Sequence, residues 1–365
     1  MLSCDRTMVE LSPNFKVTHK RWWLFVALNI SFLLVGQTAA VLLGRFYYAE
    51  SGSSLFLATL IQTAGFPILC IPLILTPSSP DNSTAPSDPV DKKYVTLVYL
   101  CLGVLLAGDN LLYSVGVMYL PSFTYSLIRA TQLAFNAIFS YFLNSLKFTA
   151  LILNSLVVLT ISSGLLAIGN SLSTPAGVSR LEYAMGVLCT LSASAVYALL
   201  LSLMQVSFHK VLKAETFAVV MKMQIYTSLI ATIVSMGGLL ASGQWRDLGN
   251  EMENFDTGPA SYVMTLVWTG ISWQICSFGV VGLVFLVSSL FSNVVSTAAL
   301  SVLPIASTIV FHDPMNGVKA LAMLLALWGF ATYLFQNYLD QRRGIISQTN
   351  NSDIAKVPSC VVSMT

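Results

Sequence analysis

Long apolar segments with almost no charged residues make up most of this 365-residue chain. An α-helix needs about 20 such residues to cross the roughly 30 Å hydrocarbon layer of a bilayer. The segments are continuous and do not alternate, which favours helices over the strands of a membrane barrel. They predict an all-α membrane protein with ten transmembrane helices, at residues 22–43, 53–75, 95–119, 121–143, 149–168, 183–206, 216–241, 262–286, 288–311 and 317–338.

The composition excludes several classes of protein. Only 9% of the residues are charged, whereas a soluble domain carries about 25%. A net charge of +2 lacks the basic excess of a nucleic-acid binder. Six scattered Cys and three unclustered His predict neither a disulfide framework nor a metal site. Because no phosphate-binding loop or hydrolase motif is present in the sequence, we expect neither enzymatic activity nor a cofactor.

The basic residues are distributed unevenly over the predicted connections. Twelve Lys and Arg fall on the side of both termini and four on the other side. Because the cytosolic side carries the excess of these residues, the tails 1–21 and 339–365 are expected in the cytosol. The connection 242–261 has four acidic residues and is predicted to be an exposed loop.

The fourth predicted span has a polar face. Successive steps of 4, 3, 4 and 4 residues place five polar side chains on one side of a helix, opposite Phe135 and Ile138. The face indicates either a wet cavity that binds a solute or hydrogen bonds between packed helices. Its members are Tyr125, Arg129, Gln132, Asn136 and Ser140.

The third predicted span carries Asp109, Asn110 and Tyr113 near its middle. A tight turn at 120–121 joins it to the fourth span, so Asp109 and Arg129 are expected at nearly the same depth. The two residues predict an ion pair in which each neutralises the other. Asp109 could also take up a proton during transport, and the two interpretations are compatible.

Spans 8 and 9 add further polar and aromatic residues at membrane depth. Trp273 and Gln274 lie well inside span 8, and Asn293 lies on a polar face of span 9. A buried Trp beside a Gln could stack on and hydrogen-bond a planar heterocycle, or could pack in the core. The uncharged amides, hydroxyls and aromatics suit a small, mostly neutral, polar or aromatic solute.

Two halves of five spans each are predicted, at 22–168 and 183–338. An odd number of spans gives the two halves opposite orientations in the membrane, as in secondary transporters that bind substrate between inverted repeats. A scaffold without transport activity is an alternative. The amide-rich interior argues against it, since such residues are costly inside a membrane.

Several stretches, in order along the chain, are similar to the plant purine permeases. One is Gly108-Asp109-Asn110-Leu111-Leu112-Tyr113-Ser114. The resemblance covers about residues 20–340. The other stretches that carry it are 62–67, 119–121, 126–127, 132–136, 273–274, 289–297, 317–319 and 328–333.

This resemblance implies the fold of the drug/metabolite transporter superfamily, with ten helices in two inverted five-helix repeats and cytosolic termini. It implies proton-coupled import of purine nucleobases and related N-heterocycles, such as adenine and cytokinins, by alternating access. The alternative is transport or export of another heterocycle on the same fold, such as an alkaloid or a vitamin-like amine. The plasma membrane is the common location of the family, ahead of the vacuolar and endoplasmic membranes.

The resemblance also suggests roles for the polar residues named above. Amides would hydrogen-bond the ring nitrogens and exocyclic amines of the substrate, and aromatic rings would stack on it. Asp109 would carry the coupling proton, and Arg129 would tune its charge. The expected substrate-binding residues are Asn110, Tyr113, Tyr125, Gln132, Asn136, Trp273, Gln274 and Asn293.

Overall fold

The computed structural model describes residues 19–75, 92–120, 122–145, 148–169, 179–212, 217–312 and 315–355. These residues are mostly helical, and no strand occurs among them. The prediction of an all-α protein is therefore confirmed for the described part of the chain. The ends of the predicted tails, residues 1–18 and 356–365, lie outside it.

Twelve α-helices are present in the described residues. In the first half they are α1 (His19–Ala49), α2 (Leu55–Ala64), α3 (Cys70–Leu75), α4 (Lys92–Tyr119), α5 (Ser122–Asn144) and α6 (Ala150–Gly169). In the second half they are α7 (Arg180–Val206), α8 (Phe217–Ser242), α9 (Leu248–Glu253), α10 (Pro259–Leu286), α11 (Ser289–Phe311) and α12 (Gly317–Ala355).

Serine residues determine where three of the helices begin. The side chains of Ser54 and Ser288 each accept a hydrogen bond from the backbone N–H three residues later, at the starts of α2 and α11. Ser179 and Glu182 form a reciprocal capping box at the start of α7. Each cap supplies a partner to an N–H group that has none within the helix, so these starts are encoded locally.

The second predicted span is broken in two. The prediction of one continuous helix over 53–75 is wrong, because α2 ends at Ala64 and a tight 3₁₀ turn at Phe66–Leu69 precedes α3. Pro67 is the cause, since it has no N–H with which to continue the helix. Broken helices are tolerated inside membranes where neighbouring groups satisfy the freed carbonyls.

Among the described residues, six helices are long and apolar enough to cross a membrane: α1, α4, α7, α8, α10 and α12. Helix α11 is bent by 40° between Leu300 and Ile305, and its two parts together make a seventh candidate. Shorter apolar helical segments cover Leu55–Leu69 and Ala150–Leu165. The chain is thus built as a multi-pass membrane protein, and the count of ten spans stays a prediction.

The helices pack in a pattern that links the two halves. Helix α1 lies against α10 and α11, and α7 lies against α4 and α5. Helix α2 contacts α8 and α10, α4 contacts α8, and α6 contacts α12. The main apolar core takes buried residues from both halves, among them Leu33, Leu133, Leu200 and Leu290. Contacts between the halves therefore hold the fold together.

Two glycines bring α1 and α10 close together. A β-carbon at Gly36 would lie 2.6 Å from the backbone nitrogen of Cys276, and one at Gly282 would overlap the amide oxygen of Asn29. Glycine at such contacts lets helix backbones approach inside a membrane. Consequently α1 and α10 form a close-packed pair across the two halves.

A second, smaller apolar cluster encloses the connection between α8 and α10. The prediction that residues 242–261 form an exposed loop is wrong at its centre, since Glu251 is 8% exposed and Phe255 is 3% exposed. Leu248 and Met252 also pack against the cluster, and this apolar face folds the connection onto α1 and α2. We call this the Tyr47 cluster; its buried members are Tyr47, Leu57, Leu60, Ile61, Leu239, Phe255 and Tyr262.

Candidate functional site

The polar face of α5 points into the protein. Gln132, Asn136 and Ser140 are buried, while Ile138 and Phe142 on the opposite face are 50% and 74% exposed. The predicted orientation of this helix is therefore confirmed. In a membrane the exposed face suits lipid, and the buried polar groups need partners within the protein.

A pair of amides joins α5 to α11. Gln132 Nε2 donates to Asn293 Oδ1 at 2.5 Å, and Asn293 Nδ2 donates back to the main-chain oxygen of Gln132 at 3.3 Å. Both side chains are buried. The two predicted residues, which lie on different halves of the chain, thus meet at one point and satisfy each other.

Tyr113 extends this site from α4. Its hydroxyl donates to Gln132 Oε1 at 3.0 Å and lies 3.3 Å from Ser194 Oγ on α7. The Arg129 guanidinium lies over the Tyr113 ring, 5.1 Å from the ring centroid. The Tyr125 ring packs edge-on against the Tyr113 ring, with 6.2 Å between the two centroids. A guanidinium over an aromatic face is held by the negative charge of that face. Four helices therefore contribute to one polar and aromatic site.

Asp109 is buried beside this group. It is 2% exposed, and its Oδ1 atom has no hydrogen-bond partner in the described part of the chain. A direct ion pair with Arg129 is thus absent at this oxygen, although the two side chains interact electrostatically. The next residue, Asn110, is half-buried on the same helix. Asp109 is a buried acidic group with unused bonding capacity, which makes it the most unusual side chain of the site.

Asn136 belongs to a separate polar cluster further along α5. Its Nδ2 donates to the main-chain oxygen of Ser289 at 3.1 Å, and its Oδ1 accepts from Ser140 at 3.1 Å and from Ser202 at 3.2 Å. Gln205 Oε1 accepts from the Ser289 N–H at 2.8 Å, which caps α11 from α7. At Asn136, the polar face of α5 therefore forms hydrogen bonds between packed helices, which is the second of its two predicted interpretations.

Trp273 and Gln274 point to different neighbours, because successive residues on a helix diverge by about 100°. Trp273 is half-buried and packs against the main core. Gln274 is fully buried, and its Nε2 donates to the main-chain oxygens of Gln62 at 3.2 Å and Thr63 at 3.0 Å. Gln274 thus lies at the break between α2 and α3, and its Oε1 has no partner in the described residues.

The sequence analysis missed the contribution of α7. Ser194 joins Tyr113, and Ser202 and Gln205 join the Asn136 cluster. A signal for them exists in the recurrence of polar residues at 194, 202 and 205, which lie near one face of a helix. In the described residues no group of His, Cys, Asp and Glu could hold a metal ion.

An all-helical, multi-pass membrane protein with a buried polar site between its helices is the class that the fold and site define. The family model for purine nucleobase transmembrane transport matches residues 24–343. The chain belongs to this family, whose named relatives are permeases and not enzymes.

Three relatives from Arabidopsis thaliana illustrate the similarity. Probable purine permease 11 is 60% identical over 90% of this chain and 86% of its own length. Probable purine permease 13 is 50% identical over 89% of each chain, and Purine permease 21 is 50% identical over 89% of this chain and 83% of its own. A solved crystal structure of a protein shares the fold alone, with a TM-score of 0.55 and 14% identity over 85% of this chain and 97% of that one.

Proposed function

We propose that this protein imports purine nucleobases and related N-heterocycles, such as adenine and cytokinins, together with protons and by alternating access. The amide pair of Gln132 and Asn293, with the Tyr113 hydroxyl, is the observation that carries the proposal. Membership of a family of purine nucleobase transporters supports it. The proposed location is the plasma membrane, with both termini in the cytosol.

The proposed architecture is ten spans in two inverted repeats, 22–168 and 183–338. The first repeat would comprise α1, α2 with α3, α4, α5 and α6, and the second α7, α8, α10, α11 and α12. When the two sets are exchanged in this order, the contact of α1 with α10 becomes that of α7 with α4, and α1 with α11 becomes α7 with α5. The pairs α2–α8 and α6–α12 are unchanged by the exchange. This correspondence supports a two-fold relation between the halves.

Substrate recognition would use the amides at the contact between the repeats. Gln and Asn side chains match the N6 donor and N7 acceptor of adenine, which an amide can engage with two hydrogen bonds. A bound base would take over the bonds that Gln132 and Asn293 now make to each other. Tyr113 and Tyr125 would flank the ring, and Asn110, half-buried one helical turn from Tyr113, would add a polar contact.

Asn136, Trp273 and Gln274 would complete the site from its periphery. Asn136 is committed to neighbouring helices, and Gln274 offers only its Oε1, so we assign both a second rank among the binding residues. Trp273 would supply a stacking surface, as it is half-buried at the edge of the core.

Coupling to protons would use Asp109. A buried carboxyl with an unpartnered oxygen gains from binding a proton, since burial of the charged form is costly. Arg129 would act on the charge of this carboxyl by electrostatic interaction. The Tyr113 ring would hold the Arg129 guanidinium in position for this.

The experiment is uptake of radiolabelled adenine into yeast that lacks its own purine uptake, at external pH 5 and 7.5, with and without a protonophore. We expect uptake to rise at the lower pH, to collapse with the protonophore and to be reduced by unlabelled cytokinin. Gln132→Ala should lower uptake at least about tenfold at equal surface amount, since the site loses a two-bond partner for the base. No adenine uptake from surface-expressed protein would refute the assignment of substrate.

A matched control and a coupling variant complete the design. Gln224→Ala also removes a buried amide, but one that bonds Ser228 on its own helix, and it should leave uptake unchanged. Asp109→Asn should abolish accumulation driven by the pH gradient. If that variant still accumulates adenine at pH 5 and not at pH 7.5, Asp109 is not the proton carrier.

A further inference from the structure

Four side chains bridge the two halves at the Tyr47 cluster, far along the chain from the amide pair. Glu251 lies on α9, between α8 and α10 of the second half. Tyr47 and Ser53 belong to the end of α1 and the segment leading into α2, and Tyr262 belongs to α10. We call Tyr47, Ser53, Glu251 and Tyr262 the Glu251 latch.

Glu251 is the centre of the latch. The Tyr47 hydroxyl donates to its Oε1, and the Tyr262 hydroxyl approaches the same oxygen at 3.3 Å. The Ser53 hydroxyl donates to its Oε2 at 3.2 Å. The carboxylate is therefore held by hydroxyl groups from both halves while it is 8% exposed.

Gln244 adds a second bridge beside the latch. Its Oε1 accepts from Ser54 Oγ at 3.0 Å and from the backbone N–H of Phe56 at 3.3 Å. These groups lie at the start of α2, so the second half caps a helix of the first. The connection between α8 and α10 is thus fastened at two points, by Glu251 to the end of α1 and the segment after it, and by Gln244 to the start of α2.

The partners recorded for Glu251 are neutral, and this matters for movement. A buried carboxylate that bonds a cation leaves that cation unpaired when the contact opens, which is strongly destabilising. Hydroxyl groups exchange their bonds for bonds to water at a much smaller net cost in free energy. The hydrogen bonds to Glu251 are therefore strong enough to hold the two halves together and weak enough to break during a transport cycle.

From this geometry we infer that the Glu251 latch closes the non-cytosolic side of the protein and that its opening admits substrate. The inference rests on the proposed function for its orientation and for alternating access. Under the proposed topology the ends of α1 and α8 and the starts of α2 and α10 all lie on the non-cytosolic side. Separation of the halves there requires the Glu251 bonds to break.

Accessibility of a buried reporter on intact yeast cells tests the latch without any substrate. Leu57 is 8% exposed within the Tyr47 cluster, so a Leu57→Cys chain should react slowly with an external, membrane-impermeant maleimide. Adding Glu251→Gln should raise the rate about tenfold, because bonds to a charged acceptor are stronger than bonds to a neutral one. The rate of the chain without Leu57→Cys is subtracted, since native cysteines are present.

Two variants make the result specific. Glu253 lies two residues after Glu251, and its side chain is exposed. Glu253→Gln removes the same charge as Glu251→Gln and should change the labelling rate by less than about twofold. Tyr262→Phe removes one hydroxyl and should give an increase smaller than that of Glu251→Gln. Tyr262→Phe also carries the test if Glu251→Gln fails to reach the surface.

Adenine uptake distinguishes opening of the latch from a general loss of structure in the variant. A more populated open state should lower the KM for external substrate in Glu251→Gln, whereas lost structure lowers uptake at every concentration. The inference is overturned if labelling does not change, if Glu253→Gln labels equally fast, if KM does not fall, or if the reporter reacts only after the cells are permeabilised. Faster labelling of Glu251→Gln with no adenine uptake by the parent chain would contradict the proposed substrate and leave the latch standing.

Discussion

Replacement of Gln274 by Leu tests how the break between α2 and α3 is stabilised. Leu retains most of the side-chain volume but has no donor for the main-chain oxygens of Gln62 and Thr63. The Thr63 oxygen keeps the Gly65 N–H, whereas the Gln62 oxygen loses the partner recorded for it. Hydrogen bonds between membrane helices contribute about 0.6 to 1.7 kcal/mol each, so Gln274→Leu should lower the free energy of unfolding by about 1 to 3 kcal/mol.

A double-mutant cycle shows whether Gln274 acts in place of the missing proline N–H. Pro67→Ala restores a donor four residues after Thr63, where a continuous helix would have one. In the Pro67→Ala background, Gln274→Leu should therefore cost about 1 kcal/mol less than in the parent chain. The measurement is the free energy of unfolding in mixed micelles, by denaturing-detergent titration of all four proteins.

The result that would refute this reasoning is an equal cost of Gln274→Leu in both backgrounds. It would mean that the Gln274 amide and the N–H introduced by Pro67→Ala do not serve the same carbonyl. A loss of adenine uptake in Gln274→Leu with unchanged stability would instead favour a direct contact of Gln274 with substrate.

Three further perturbations follow from the packing and the site. Gly282→Ala should lower the free energy of unfolding by about 1 to 3 kcal/mol, because its methyl group would overlap Asn29, while Gly237→Ala meets open space and should be neutral in the same titration. Asn136→Leu removes two hydrogen bonds between helices, to Ser289 and Ser202, and a third to Ser140 on α5 itself, and should cost about 2 to 4 kcal/mol in that titration; a cost below about 1 kcal/mol would contradict the bonding described. Tyr113→Phe keeps the ring beneath the guanidinium but loses the hydroxyl, and should raise the KM for adenine up to about tenfold at equal surface amount; an unchanged KM would remove this hydroxyl from the site.

The sequence predicted the features that depend on one helix alone. The spacing of Gln132, Asn136 and Ser140 predicted the inward face of α5, because a period near 3.6 residues positions side chains without reference to other helices. Nine of the predicted apolar segments each overlap one helix, because a continuous apolar run is also a property of one segment alone, and the tenth, 53–75, contains Gly65 and Pro67. These two residues are the local signal for the break that the prediction overlooked.

The partners of the polar residues depend on helices that are distant in the sequence, and these could not be predicted. Gln132 bonds Asn293, 161 positions later, and nothing in either helix selects the other. Glu251 was predicted to be exposed because acidic residues surround it, yet Tyr47 and Tyr262 bury it. A single sequence contains the patterns of each helix but not the pairing between them.

The self-paired state of Gln132 and Asn293 has a consequence for how tightly any solute can be held. Under the proposed function, an incoming base would gain its bonds to these amides only by breaking a bond that already exists between them, so the exchange would yield a small net free energy. A carrier that bound its cargo much more tightly would release it slowly on the far side. In the proposed cycle, the unloaded site would change its accessibility with these two amides satisfied by each other and no water between them. Modest affinity and a dry return step are thus two results of the same contact.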